Sequence, residues 1–415
     1  MRLTLTFIIA ALALPTLAAE KPDVTNNSKG AQIGGPSSVA GQVRSDREKK
    51  LPLFEDLLNL QAYYDFKESL KRDQGVTYGL DYNMLYQYAD PSAAESSAAG
   101  GVFRFYGSWA PTGISASHPG SLIFKLEHRH RLGTDIAPQQ LAGEVGYAGL
   151  TAVTFSDAGG LLTNLYWTQN FNNNSFAYIV GQVDTTDYVD VYGLVNIWTE
   201  FNNLAFTTDP TIPVPDQGLG GAVRWTIKDH YYLLAGLADA NGDPGKPFDG
   251  FDSFFDDHEY FKHIEFGWIG SWDQRFNDNI HLTLWQVDER AQANVPDGWG
   301  TTFSFSREFG NWLPFLRVGY GDGGGAILDR SISTGFGYSP ERKDDRFGLG
   351  VNWGQPNREI YGTTGDDQYT LEAYYRLQLL KYLQVTPDIQ LLLNPAFNPD
   401  EDRVWVFSLR ARLAL

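Results

Sequence analysis

The sequence predicts an all-β fold: a transmembrane antiparallel β-barrel of about 16 strands, with short periplasmic turns, long outer loops and a short N-terminal helix. Three observations predict it: strands with one ionic face, connections that alternate in length, and an N-terminal export signal. In residues 369–379 and 405–415, Glu372, Arg376 and Arg410 alternate with apolar or aromatic residues. Successive side chains of a strand point to opposite faces, so each strand separates ions from hydrocarbon. A soluble β-sandwich contains such strands too, and the other two observations favour the barrel.

The N-terminus predicts export. Arg2 gives a positive start, and residues 3–14 are apolar apart from threonines. Residues 15–19 supply small residues for cleavage after Ala18 or Ala19. Residues 1–19 therefore have the features of a signal peptide. A membrane helix is the alternative, but the run is shorter than the ~20 residues that a spanning helix needs, and no other apolar run comes near that length.

The rest of the chain divides into three predicted parts. Residues 20–50 are polar and lack periodicity, which predicts a flexible periplasmic arm. Residues 51–74 have apolar residues at helical spacing, which predicts a packed helix or plug at the barrel mouth. Residues 75–415 have a period of two and form the predicted barrel. Its candidate strands are 75–89, 101–110, 120–132, 161–170, 175–184, 219–228, 231–239, 262–272, 279–288, 299–308, 313–321, 331–339, 346–355, 368–381, 384–394 and 403–415.

The connections between these strands alternate in length. Outer-membrane barrels have an even number of strands, short periplasmic turns and longer outer loops, so both termini are predicted in the periplasm. Residues 142–155 could form a further strand within one long loop. The short connections are 171–174, 229–230, 309–312 and 381–383, and the long ones are 90–100, 133–160, 185–218, 240–261, 289–298, 322–330, 356–367 and 395–402.

Composition agrees with a barrel and excludes several functions. The chain has 22 Tyr, 26 Phe, 11 Trp and 43 Gly, which suits aromatic girdles and tight turns. It has no cysteine, and therefore no disulfide or thiolate site. The net charge of -18 argues against nucleic-acid binding.

No catalytic or cofactor motif is present. The sequence contains no nucleophile elbow, no HExxH and no phosphate-binding loop, so neither an enzyme nor a cofactor is predicted. Residues 239–243 are similar to the start of a calcium loop, but Gly250 stands where an EF-hand has its glutamate. A solvated acidic outer loop is the favoured interpretation of residues 240–261, and no metal site is predicted.

One strand carries the clearest candidates for a pore constriction. Lys125, Glu127, Arg129 and Arg131 share a face of residues 121–131. A cation facing lipid at the membrane midplane costs roughly 2–4 kcal/mol, so these side chains are predicted to face the lumen. They either bond sugar hydroxyls at a constriction or form an ion-pair ladder along the wall.

The same argument predicts further lumenal residues. Trp285 shares a face with His281 and Thr283, and either offers a sugar an aromatic platform or belongs to a girdle. The other predicted lumenal ions are Asp81, Arg104, Arg224, Glu265, Arg317, Glu372, Arg376, Asp388, Arg410 and Arg412.

The loop at 185–218 is predicted to fold into the barrel. It carries Tyr192, Trp198, Phe201 and Phe206, which is too much apolar surface to lie free in water. Loops of this length are usually functional or disordered. We therefore expect this loop to narrow the lumen.

Several segments resemble a known family. Residues 371–378, 383–390 with Asn394-Pro395, and 408–413 resemble the carbohydrate-selective, OprB-like porins, as do residues 342–350 and 201–206. The resemblance covers most of the mature chain and is strongest near the C-terminus. The chain ends in Leu415, whereas such barrels commonly end in an aromatic residue.

The resemblance implies a function. A sixteen-stranded barrel of the bacterial outer membrane would pass mono- or small oligosaccharides by facilitated diffusion, as a monomer or homotrimer in contact with lipid and lipopolysaccharide. Two alternatives remain open. One is a general or anion-preferring diffusion porin, since inward Arg and Lys are plentiful, and the other is an outer-membrane enzyme built on a barrel.

Overall fold

The computed structural model describes residues 33–48, 50–111, 120–171, 175–340, 344–361 and 366–415. Within these residues, sixteen antiparallel strands form a closed barrel in which each strand pairs with its chain neighbours and the first pairs with the last. This confirms the predicted fold class. The predicted signal peptide, residues 20–32 of the predicted arm, and residues 172–174 and 342–343 lie outside the described residues.

The strands agree closely with the predicted ones. They are β1 (Val76–Asp90), β2 (Ser97–Trp109), β3 (Gly120–Arg131), β4 (Gly159–Phe171), β5 (Phe176–Val183), β6 (Gly218–Ile227), β7 (Tyr231–Asp239), β8 (Tyr260–Ile269), β9 (Asn279–Val287), β10 (Gly298–Ser306), β11 (Trp312–Gly323), β12 (Leu328–Tyr338), β13 (Arg346–Pro356), β14 (Gln368–Leu380), β15 (Leu383–Leu393) and β16 (Arg403–Ala414).

The helices are short except near the N-terminus. They are α1 (Val39–Arg47), α2 (Gln61–Gln74), α3 (Leu141–Glu144), α4 (Leu204–Thr207), α5 (Gly250–Asp252) and α6 (Arg358–Tyr361), with 3-10 turns at Pro138–Gln140 and Thr185–Asp187 and a π-turn at Ser253–Asp257. In the part of the chain that the structure describes, no helix is long and apolar enough to cross a membrane.

The two faces of the barrel wall differ as the alternation predicts. On β1, Asp81, Asn83 and Gln87 are buried inside the barrel, whereas Tyr86 and Tyr88 are exposed on its outer surface. Exposed aromatic residues form two outer belts, one near each end of the strands. These residues include Trp109, Trp225, Tyr231, Phe309 and Trp312 at one end, and Tyr86, Tyr88, Trp299, Tyr369, Trp405 and Phe407 at the other.

We call the end of the barrel at which β16 finishes the turn end, and the opposite end the loop end. Several connections differ from the predicted lengths; for example, residues 91–96 alone join β1 and β2, where 90–100 were predicted. At the loop end, the connection between β11 and β12 comprises only residues 324–327, and at the turn end residues 270–278 form a comparatively long one.

Residues 142–155 contain no strand; α3 follows a 3-10 turn at their start. Its buried Leu141 and Ala142 pack onto the wall, which favours a helical turn over an exposed strand edge.

Near the N-terminus, the structure differs from the expected unstructured arm. Residues 33–48, which we call the N-terminal segment, contain α1, whose N-cap Ser38 accepts a hydrogen bond from the Gly41 amide. Val39 and Gln42 are almost fully buried inside the barrel. The helix is stabilised by contacts with distant strands, which local periodicity cannot reveal. Within residues 51–74, for which a helix was predicted, only Gln61–Gln74 are helical; they form α2, which ends at Gly75, whose φ is 69°.

Candidate functional site: the lumen and its inner loop

Residues 184–217, which we call the inner loop, lie inside the barrel. The loop contacts inward-facing residues around most of the circumference: Lys125 on β3, Arg317 on β11 and Arg410 on β16. No position outside the wall would allow contact with all three strands. The prediction that this loop folds into the barrel is confirmed.

Aromatic packing holds the middle of the inner loop. The rings of Phe201 and Phe206 lie 4.8 Å apart, and Phe201 meets Tyr374 of β14 edge-on at 5.0 Å. Tyr192 contacts Phe315 of β11 at 5.2 Å. Each such pair contributes roughly 0.5–1.5 kcal/mol beyond the area it buries. The loop therefore has a hydrophobic core of its own against the wall.

A buried carboxylate fixes the first half of the inner loop. Asp190 pairs with the Arg317 guanidinium, and it lies 2.9 Å from His281 Nε2 and 3.2 Å from Thr302 Oγ1. Burial alone would raise the pKa of Asp190, but Arg317 and His281 hold it below its ordinary value. Asp190 is therefore ionised and bound to three strands at once.

A second carboxylate fixes the middle of the loop. Glu200 accepts a hydrogen bond from Arg376 Nη1 at 2.6 Å and one from the Tyr374 hydroxyl, and it lies 3.5 Å from Arg346 Nη1. Arg410 donates to the Ile197 carbonyl at 2.9 Å and to Asn202 Oδ1 at 2.7 Å, in both cases from Nη1. Wall arginines therefore pair with the Glu200 carboxylate and donate hydrogen bonds to carbonyl oxygens of the loop.

In one place the wall supplies the acceptor. Both carboxylate oxygens of Glu372 accept backbone hydrogen bonds from the loop, one from the Asn202 amide at 2.6 Å and one from the Asn203 amide at 3.0 Å. Asn203 also donates to Gln390 Oε1 at 3.0 Å. Glu372 and Arg376, both predicted to line the pore, thus face inward but contact the inner loop.

The predicted ladder on β3 faces the lumen, and solvent access to it falls with depth. The side chain of Arg131 is 44% exposed at the loop end, that of Arg129 14% and that of Glu127 2%. Arg131 pairs with Asp157 at 2.7 Å, and Arg129 binds Glu127 through Nε at 2.8 Å and Nη2 at 2.6 Å. The lumen therefore narrows along this strand.

At the bottom of the ladder the wall meets the inner loop. Lys125 Nζ lies 3.5 Å from Asp184 and 3.6 Å from Asp187. Burial raises the pKa of Asp187 to about 6, with a further contribution from Asp184 that Lys125 opposes. These ion pairs join the wall to the inner loop at this depth.

Beside the ladder, on the neighbouring strands β2, β1 and β16, the N-terminal segment covers a second ion cluster. Arg104 binds Asp81 through Nε at 2.8 Å, and Arg412 Nε donates to the same carboxylate at 2.9 Å. Arg412 also reaches Asp46 of α1 at 2.9 Å, and Gln42 of α1 accepts from both arginines at 3.3 Å. Asp81 and Arg104, both predicted pore residues, are therefore buried beneath α1.

Of the two positions considered for Trp285, the structure shows the one facing the lumen rather than the outer girdle. Its ring is 3% exposed, and it packs in a cluster that includes Ile212 of the inner loop and Val287 of its own strand. The indole therefore supports the loop rather than an open water-filled space. The inward Trp198 has a different neighbour, since the Arg104 guanidinium lies 3.7 Å from its ring centroid.

The sequence did not point to Asp190 and Glu200. Their signal is a set of acidic residues interleaved with aromatic residues in one long loop, opposite strands with inward arginines.

Among the described residues, no group of three or more His, Cys, Asp or Glu side chains could hold a metal ion. Asp239 of the calcium-like motif instead accepts hydrogen bonds from Ser253 and from the Asn241 amide.

Together, a closed sixteen-stranded barrel, a charged lumen and a loop folded into it define a porin-type channel. The family model described as carbohydrate-selective porin, OprB family, matches residues 124–415. This match covers more than half of the sequence, and the chain belongs to this family.

Solved structures share the fold. The high-pH structure of Pseudomonas putida OprB is 12% identical, covers 85% of this chain and 97% of that chain, and has a TM-score of 0.66. Its low-pH structure is 12% identical over 87% of this chain and 99% of that chain, with a TM-score of 0.51. A mutant of the Rh. blastica porin, also 12% identical, covers 82% and 100% with a TM-score of 0.51. The comparison with curated protein sequences gives no match.

Proposed function

We propose that this porin lies in the bacterial outer membrane and lets carbohydrates diffuse passively and selectively into the periplasm. Family membership supports the substrate class. In this proposal the loop end faces outward and the turn end faces the periplasm, because outer-membrane barrels have longer loops outside. The outer belts of aromatic residues contact lipid, and the chain acts as a channel without a catalytic step.

The pairing of lumenal charges carries the proposal. Arg104 binds Asp81, Arg129 binds Glu127, and Arg317 binds Asp190 of the inner loop. A lumen with ions paired in this way has many donors and acceptors but little unbalanced charge. It therefore suits neutral solutes with many hydroxyl groups better than it suits anions.

The β3 ladder gives a sugar a route into the lumen. Arg129 presents a planar fork of donors and Glu127 presents acceptors, at a depth where solvent access is falling. A hydroxyl can donate and accept, so a sugar can exchange water for these groups step by step. Because a channel must release what it binds, weak and replaceable hydrogen bonds serve it better than a tight site.

Swelling of liposomes that contain the purified protein tests the proposal. The solutes are mono- and disaccharides, amino acids of matched size, and sodium salts of small organic anions. We expect sugars to enter faster than amino acids or anions of equal size. Uniform entry by size would contradict selectivity, preferential entry of anions would favour an anion porin, and hydrolysis without entry would favour an enzyme.

A further inference from the structure

Apolar side chains cluster outside the lumen at the turn end. The segment from residue 50 to 74, which we call the rim segment, carries six apolar side chains that are each at least 48% exposed, with Leu57 at 82%. Large apolar side chains left exposed at this density along the chain indicate an interaction surface rather than a surface for water. The six residues are Leu51, Leu53, Phe54, Leu57, Leu58 and Phe66.

The first part of the rim segment is tied to the end of β14. The Leu53 amide donates to the Gln378 carbonyl at 2.8 Å, and the Phe54 amide donates to the Leu379 carbonyl at 2.9 Å. Asp56 accepts from the Lys381 amide at 3.0 Å and lies 2.8 Å from its Nζ. The segment is therefore fixed to the rim, and its apolar side chains remain exposed.

The helix α2 packs on the outer surface of the barrel. Tyr63 contacts Tyr78 of β1 at 6.4 Å, and Tyr78 faces outward because the inward Asp81 is an odd number of residues away. Tyr78 contacts Phe105 at 6.0 Å, and Phe105 contacts Phe124 at 5.1 Å. Tyr63 therefore extends a row of outward-facing aromatic rings that crosses three strands.

A cation holds the helix in this position. Lys67 Nζ donates to the Leu415 carbonyl at 2.9 Å and lies 5.1 Å from the centroid of the Tyr78 ring. Phe66 precedes Lys67 in the chain and is exposed. Asp65 and Arg72 are also exposed and lie on the side of the helix away from Tyr63, as 100° per residue requires. The helix is thus amphipathic: Tyr63 contacts the outer wall, Phe66 is exposed, and Asp65 and Arg72 lie on the opposite side from Tyr63.

We propose that the rim segment lies in the lipid interface at the turn end, with Leu53, Phe54, Leu57, Leu58 and Phe66 at the boundary between headgroups and acyl chains. The inference rests on the proposed membrane location. Continuity with the lipid-facing aromatic row identifies lipid as the occupant, and an amphipathic helix of this kind lies flat at an interface. The N-terminal region would then anchor the rim of the barrel to one leaflet.

The absence of cysteine makes a direct test possible. Leu57→Cys and, as the matched control, Asp65→Cys are each labelled with an environment-sensitive nitrobenzoxadiazole dye and reconstituted in phosphatidylethanolamine–phosphatidylglycerol vesicles. We expect the dye at residue 57 to emit at shorter wavelength and to be quenched by lipids with a spin label on the upper acyl chain. The dye at residue 65 should remain in water and be quenched mainly by soluble iodide.

Two outcomes would overturn the inference. One is equal water exposure of the two dyes. The other is a shielded dye at residue 57 that spin-labelled lipid does not quench, which would indicate a protein partner or a second copy. Sugar swelling of the same vesicles is measured in parallel, so a failure of the proposed channel function is seen separately from a failure of lipid contact.

Discussion

The inner loop and the loop of residues 240–259, which we call the acidic loop, leave the same end of the barrel but occupy different environments. Both carry several carboxylates and several aromatic residues. In the inner loop, Asp190 and Glu200 are buried and paired with cations of the wall. In the acidic loop, Asp256 and Asp257 are exposed, and so is Phe255.

Composition therefore does not decide which loop enters the lumen. The inner loop is longer and can cross to strands on the far side, where Arg317 and Arg376 face inward opposite its acids. Each buried carboxylate would be strongly destabilising without its partner. The wall cations face inward because side chains alternate along each strand. The loop that lies in the lumen is the one whose carboxylates pair with these cations.

Deleting part of each loop should give the largest difference. Removing residues 202–215 takes away Phe206 and the loop's contacts with Glu372, so single-channel conductance should rise severalfold and block by sugar should weaken. Removing residues 244–257, an equally long part of the acidic loop, should leave both nearly unchanged. Planar-bilayer recordings measure the effect, and a heat-modifiable band on unboiled gels shows that each barrel has formed. Equal conductance of the two deletions would contradict the distinction.

Removing one wall cation should loosen the inner loop. Arg317→Met leaves the Asp190 carboxylate buried with His281 but without its guanidinium, which costs about 3–5 kcal/mol. We expect a lower urea midpoint for the folded barrel, together with frequent transitions to higher conductance. The control Arg330→Met changes an exposed arginine on the adjacent strand. A midpoint for Arg317→Met that matches this control would show that the ion pair does not hold the loop.

Replacing Arg129 should weaken sugar passage. Arg129→Ala removes donors within the narrowing part of the ladder, and one lost charge-assisted hydrogen bond is worth roughly 1.5–3 kcal/mol, or about tenfold or more in sugar affinity. The bared Glu127 should also shift ion selectivity toward cations. Arg131→Ala, at the wider and more exposed level, should have a smaller effect on the same current-block measurement. If both variants behave as the wild type, the ladder is only part of the wall.

The smallest expected effect is a dependence on pH. Burial raises the pKa of Asp187 from 3.8 to about 6, so the folded loop binds this proton more tightly than the unfolded chain. The associated stability is complete below pH 3.8, is lost by about 1.4 kcal/mol per pH unit as pH rises from there through 6, and is gone above that value. Loop opening events should therefore become more frequent as pH rises from about 4 to 6 and should change little above that. Asp187→Asn should reduce this dependence, and an unaltered pH profile would count against it.

The wall of the barrel could be predicted from the sequence, because a period of two is local information. The inward positions of Glu372, Arg376 and Arg410 follow from alternation alone. The partners of these residues could not be predicted in the same way. Asp190 and Arg317 are 127 residues apart in the chain, and only closure of the sheet brings them together.

The N-terminal helix α1 illustrates the same limit. Its sequence is polar. Gln42 and Asp46 can lie inside the barrel because Arg104 and Arg412 on the wall donate hydrogen bonds to them. A polar segment with no apolar periodicity indicates disorder when it is considered alone. Complementary ions elsewhere in the fold reverse that interpretation.

Thiol accessibility tests the central claim, that the inner loop is packed inside the barrel while the acidic loop is not. Phe206→Cys and Phe251→Cys each introduce the only cysteine of the chain, at an aromatic position that is 0% exposed in the inner loop and 52% exposed in the acidic loop. With a membrane-impermeant maleimide added at the loop end, we expect rapid labelling at residue 251 and almost none at residue 206 until urea unfolds the barrel. Equal labelling rates in the folded protein would contradict the account.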